Sequence, residues 1–176
     1  MKIGDRELRK IQIEQLPDCI IKNVHDSIGQ PISLNDIPCI FYASKACHVN
    51  SLIFSYEIKE STIIEGIVVN ENGFAFEHFW NRIYLDEKRF ADCDITFCAI
   101  ASADEIKIKK SYYQVNEYTK EEMLARIKAN TIFSNEVLSL IETYYIENPV
   151  HSNEYHSYRE SLSKQNKKMS RSNLSE

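Results

Sequence analysis

Three residue types that together perform nucleophilic acyl transfer occur in one stretch of this chain, in the order Cys47, His78, Asp94. The intervals are 31 and 16 residues. A thiol becomes a nucleophile as its thiolate, an imidazole can hold and return the proton, and a carboxylate can fix the imidazole's tautomer. Sequence patterning gives each of them a place. Ser44 is a plausible N-cap for a helix from Lys45 to about Lys59 that buries Val49, Leu52, Ile53 and Tyr56. Cys47 then stands at the third helical position, where free amide groups and the helix dipole favour an anion. A small buried core thiol is the ordinary alternative for any cysteine.

The elements around this helix must bring the other two groups to it. Cys39-Ile40-Phe41-Tyr42 reads as a short buried strand before it. After it, Ile63 to Val69 is rich in β-branched residues and ends at the turn Asn70-Glu71-Asn72-Gly73. Phe74 to Leu85 continues as a long strand with His78, Trp80, Arg82 and Tyr84 on one face. Asp86 to Lys88 turns, Arg89 to Thr96 returns, and Cys98 to Ile100 extends that strand. The returning strand carries Asp94 back to the level of His78; Asp92, on the same face, is the rival orienting carboxylate if the register slips. Ile106 to Tyr118 supplies a further strand or two. Thr119-Lys120-Glu121-Glu122 has the form of a capping box and starts a helix to about Ala129. Ser134 caps another, with Val137, Leu138, Leu140, Ile141, Tyr144 and Tyr145 as its apolar stripe, ending before Asn148-Pro149. The order of elements is that of an α+β fold, a nucleophile helix on an antiparallel sheet followed by C-terminal helices.

The run His78-Phe79-Trp80-Asn81-Arg82-Ile83-Tyr84-Leu85-Asp86, then Phe90, then Asp94-Ile95-Thr96, resembles the H-x-W-N-x-V-Y-L-D…W…D-P-T signature of the transglutaminase-like superfamily, whose core is papain-like. Cys47 heading a helix with Asn50 and Leu52, followed by the Ile64-Glu65-Gly66-Ile67-Val68 strand, is similar to that superfamily's nucleophile helix and next strand. The resemblance covers about residues 44–97. The chain differs from the pattern in having Lys45 where Gly often stands, no Gly in the Asp86-Glu87-Lys88-Arg89 hairpin, Ile95 after Asp94 in place of Pro, and His48 where animal transglutaminases carry Trp.

The resemblance implies a cysteine acyl hydrolase or acyltransferase (protease, deamidase or transamidase) acting on a protein or peptide amide through a thioester. Cys47 would attack, His78 would carry the proton and Asp94 would orient His78. Trp80, His48 and Asn50 would border the substrate, Trp80 by packing rather than reacting, while Asn81 and Thr96 would serve local hydrogen bonds. The alternative is a non-catalytic effector or phage-type inhibitor that binds a host protein with the same scaffold.

Composition removes other chemistries. The chain has 176 residues, 43% of them hydrophobic and 27% charged, which fits one domain of ordinary size. Four glycines, at 4, 29, 66 and 73, cannot write a G-x-G-x-x-G or Walker loop. A net charge of −5 disfavours a nucleic-acid partner, and the lysines at 107–110 and in the tail read as solvated. Cys93 and Cys98 with Cys47 and His48 or His78 are soft metal ligands, but their spacing is not a usual zinc pattern, so no metal or other cofactor is expected. No run approaches the ~20 apolar residues of a membrane span, and the N-terminus lacks the apolar core of a Sec signal. Five cysteines, an odd number at irregular spacing, suit free thiols in a reducing cytoplasm, unless the protein is translocated by a non-Sec route. From His151 onward seven of 26 residues are serine and five are apolar, so the sequence divides into a domain at 1–150 and a flexible polar tail at 151–176. His25, His151 and His156 read as surface residues.

Overall fold

The structure, a computed structural model, describes residues 1–14, 32–34, 37–40, 46–99 and 108–161. It is an α+β fold whose centre is the β-branched run of β6 (Ser61–Asn70). Earlier strands are short: β1 (Lys2–Ile3), β2 (Arg6–Glu7), β3 (Lys10–Ile11), β4 (Ile32–Leu34) and β5 (Ile37–Ile40). The first two form one hairpin, and β4 and β5 another. Strand β6 turns through Asn70-Gly73, where Gly73 donates to the Asn70 carbonyl at 2.9 Å with φ at +90°, a conformation glycine adopts without cost. It then pairs with β7 (Ala75–Tyr84) in the register Gly66 to His78 and Ile64 to Trp80.

The next hairpin closes without glycine. The Asp86 carboxylate accepts from the Lys88 and Arg89 amides, both at 2.9 Å, and the Leu85 amide donates to the Arg89 carbonyl at 2.9 Å, so side chain and backbone close the turn together. Strand β8 (Phe90–Cys93) returns along β7 with Asp92 opposite Arg82. The extension of this strand through Cys98 is not what forms. Asp94 accepts from the amides of Thr96 and Phe97, at 3.1 and 3.2 Å, and this side-chain capping starts a short helix, α2 (Ile95–Ala99). It follows α1 (Cys47–Glu57), which precedes β6.

Strand β9 (Lys110–Tyr118) pairs with the free side of β6, and β3 pairs with β9. The sheet order is β3-β9-β6-β7-β8, antiparallel throughout. The chain beyond β3 then crosses to the opposite edge: Ile13 bridges Asp92, and the Glu14 amide donates to the Asp92 carbonyl at 2.8 Å. The two edges are thereby tied, and the sheet rolls toward a barrel.

One face of β7 points Phe76, His78, Trp80 and Arg82 to the inside, where Trp80 packs with Ile11, Ile64, Val68 and Tyr112. The other face bears helices. Phe79 and Ile63 pack with Cys47 and Leu52 of α1 and with Met123 and Leu124 of α3 (Lys120–Lys128). Ile67 and Ala75 pack with Val137, Ile141 and Tyr145 of α4 (Asn135–Glu147). Both of these helices start as their sequences dictate. Thr119 and Glu122 form a reciprocal capping box, and the Ser134 side chain accepts from the Val137 amide.

Two boundaries differ from the sequence expectation. Helix α1 begins at Cys47, with Ala46 at the N-cap position and no side-chain cap; Ser44 and Lys45 lie outside the described residues, as do Phe41 and Tyr42. Cys47 is thus the first helical residue rather than the third. The segment after 150, polar in composition, continues through a turn (Pro149–His151) into a helix over 152–161, here α5. Its few apolar residues are concentrated on one side: Tyr155 is 4% exposed and belongs to the α4 core. Residues 162–176 lie outside the described residues.

Candidate active site

Helix α1 starts at Cys47, which packs against Phe79 of β7. Its placement depends on two buried amides of the H-x-W-N and nucleophile segments. Asn81 of β7 donates to the Ser51 carbonyl at 2.9 Å, and Asn50 donates to the Thr96 hydroxyl at 3.2 Å. Each joins α1 to an element that carries another part of the site. Since both asparagines are fully buried, a missing partner would cost ~1–3 kcal/mol, which makes these joints specific rather than incidental.

His78 is 3% exposed, and its Nε2 lies 2.7 Å from Asp94 Oδ2. That leaves Nδ1 as the ring nitrogen free for the Cys47 thiol, which lies close enough for the two groups to shift each other's protonation. The Asp94 carboxylate is held on all sides. Besides His78 it accepts from the Tyr112 hydroxyl at 2.8 Å and from the Thr96 and Phe97 amides. A carboxylate with so many donors keeps its aim.

The electrostatics of the pair are coupled. Burial pushes the Cys47 thiol up, but the His78 imidazolium and hydrogen bonds from His48 and His78 more than offset this, lowering its pKa to about 6. Burial pushes His78 down, but the charges of Asp94 and Cys47 prevail and raise it to about 10. The arrangement favours a thiolate facing an imidazolium.

Of the two carboxylates open to the role, Asp94 faces His78 and Asp92 faces elsewhere. Asp92 accepts from Trp80 Nε1 at 3.2 Å and from Arg82 Nε and Nη2 at 3.2 and 3.1 Å. The alternation of a regular strand puts both on one face; the start of α2 at Ile95 gives Asp94 its separate direction.

The three residues read as bordering a substrate have different surroundings. His48 is half-buried, helps lower the Cys47 thiol pKa, and is set edge-on to Phe79 at 6.5 Å. Trp80 is fully buried, edge-on to Tyr112 at 5.4 Å, and Asn50 is the buried joint described above. Sequence reading did not find Tyr112, whose hydroxyl secures Asp94, nor Phe97, whose ring lies 5.1 Å from that of His78. Tyr112 sits in a strand with no local mark to set it apart; only the pairing of β9 with β6 brings it inward. Nor is His151 without partners: its ring bonds Glu154 and the Asn72 carbonyl, both at 2.9 Å.

Among the described residues, no group of three or more His, Cys, Asp or Glu side chains is arranged to hold a metal ion, and no helix is long and apolar enough to cross a membrane. No family model matches the chain, and neither does any curated protein or solved structure.

Proposed function

We propose that the protein is a cysteine-dependent acyl hydrolase or acyltransferase acting on a protein or peptide amide, with the papain-like core and chain order of the transglutaminase-like superfamily that its His78 to Thr96 segment resembles. One observation carries this reading: a single buried imidazole bonds Asp94 through Nε2 at 2.7 Å, and its charge and that of the Cys47 thiol act on each other. Such a pairing of thiol, imidazole and carboxylate is the arrangement that nucleophilic acyl transfer requires.

The chemistry follows from the groups. The Cys47 thiolate attacks the carbonyl carbon of the donor amide, and the carbonyl electron pair moves onto oxygen. The Cys47 amide, in the first turn of α1 where N–H groups have no intrahelical acceptor, donates to that oxyanion. As the oxyanion collapses, the carbon–nitrogen bond breaks and His78 Nδ1 gives its proton to the departing amine. The thioester left on Cys47 is then opened by water or by a primary amine, with His78 taking the proton from that nucleophile and the thiolate leaving. Asp94 keeps the ring oriented throughout, with Tyr112 and the start of α2 keeping Asp94 in place. Free thiols at Cys47 and Cys93 fit the reducing cytoplasm as the place of action.

Selective alkylation tests the reading. Iodoacetamide at mildly acidic pH is expected to modify Cys47 well ahead of the other thiols, as read by peptide mass spectrometry. Slow labelling of all five alike, or labelling of Cys47 indifferent to His78→Ala, would overturn it.

A further inference from the structure

Helix α5 is anchored at two points. The Tyr155 ring stacks on Tyr145 of α4 at 4.7 Å, and its hydroxyl donates to Glu77 at 3.3 Å. Arg159 pairs with the same Glu77, whose side chain is fully buried. These contacts set the rotation of the helix about its axis and turn Tyr158 toward β7. The Tyr158 ring lies 6.1 Å from Phe74 and 6.4 Å from Phe76. Phe76 is 5.9 Å from the His78 ring and 6.4 Å from Phe97. Phe76, Phe97 and Tyr158 are each half-buried. Burial, and then the charge of Cys47, push the Tyr158 hydroxyl up, which puts this ring within electrostatic reach of the nucleophile.

We propose that Phe76, Phe97 and Tyr158 form the wall of the acyl-donor site, and that Tyr158 selects donors with an aromatic or large apolar side chain beside the reactive carbonyl. The inference rests on Cys47 being an acyl-transfer nucleophile. Its physical basis is that two partly exposed aromatic rings beside His78, and a third packed on one of them, are desolvated at a gain only by apolar surface of similar size. The Lys110 ammonium lies 4.2 Å over the Phe97 ring, and an acidic donor is therefore the chemical competitor.

The test uses the full chain and N-acetyl amino-acid p-nitrophenyl esters of alanine, phenylalanine and glutamate. The burst of nitrophenolate, corrected with Cys47→Ala, gives the rate of thiol acylation for each. Iodoacetamide, too small to engage the wall, is run in parallel to report on the thiol and imidazole alone. In the parent protein and in Tyr158→Phe the phenylalanine ester is expected to react ~10-fold faster than the alanine ester, the size of discrimination an apolar pocket provides. In Tyr158→Ala that ratio falls to about 2 or less. Phe76→Ala, which leaves the Tyr155 and Arg159 anchors intact, is the second variant and must lower the ratio as well. A ratio unaltered in both alanine variants, or a preference for the glutamate ester, overturns the wall while Cys47 still alkylates selectively. Unselective alkylation of the parent protein overturns the acyl-transfer reading itself, and the wall falls with it.

Discussion

The opposite shifts of Cys47 and His78 define a pH window for their ion pair. A thiol lowered to about 6 keeps its charge down to that pH, and an imidazole raised to about 10 keeps its proton up to that pH. Alkylation of Cys47 should therefore rise as pH climbs through about 6 and then level off, where an ordinary thiol would rise only near 8.5. In His78→Ala burial acts with less opposition, so the rise moves upward by at least one pH unit, roughly five-fold or more in thiolate at pH 6. The measurement is the second-order iodoacetamide rate against pH. Asp94→Asn tests the third member. An amide oxygen can still accept from Thr96 and Phe97, but the negative charge that raises His78 is gone, so the upper limit of the window should descend from about 10. Acylation by a p-nitrophenyl ester should slow by roughly 10⁴-fold, the order expected when a triad carboxylate becomes an amide. The thiol, imidazole and carboxylate were readable in the chain because residue type, a strand face and one hairpin restrict them. Tyr112 and Tyr158 were not, since each reaches the site through contacts between elements far apart in sequence.

Single elements show why local chemistry was sometimes sufficient. The β-branched run of β6, the Thr119 capping box and the Ser134 cap carry their own instructions, and all three form as their residues suggest. The short helix after Asp94 and the helix at 152–161 do not, because a side chain or a distant core decides them. Gly66 is a position where an element accommodates another's bulk. It sits at the register shift between β6 and β9, and a Cβ there would lie 2.2 Å from the Tyr113 carbonyl oxygen and 2.4 Å from Trp80 Cη2. Neither can withdraw: one is backbone and the other a fully buried indole bonded to Asp92. Gly66→Ala is expected to destabilise the fold by about 3 kcal/mol, the upper part of the range for overpacking, with a lower urea midpoint at nearly unchanged slope. Gly73→Ala, where φ is +90° but the nearest side-chain atom is 3.9 Å away, should cost less, ~1–2 kcal/mol, from backbone strain alone.

Across the whole molecule, the last helix completes the fold. It covers Glu77, which lies on the helix side of β7, and it does so with a cation and a phenol. A carboxylate with a fully buried side chain is tolerable only while its partners are present. Arg159→Ala should therefore destabilise the protein by roughly 2–3 kcal/mol, somewhat below the value for a wholly buried pair because Arg159 is 35% exposed. Glu77→Gln removes the charge that needs compensation, so in that background the same arginine substitution should cost under about 1 kcal/mol. The coupling from the four urea curves measures how far α5 belongs to the cooperative unit. A free tail would give no coupling, and its amides at 152–161 would exchange at the rate of an unfolded peptide. Cooperative docking gives both a coupling above ~1 kcal/mol and exchange slowed to that of α4, since the two helices share the Tyr145–Tyr155 stack. Because the same docking holds Tyr158 against Phe76, Arg159→Ala should also weaken the preference for the phenylalanine ester, and Glu77→Gln with Arg159→Ala should recover part of it.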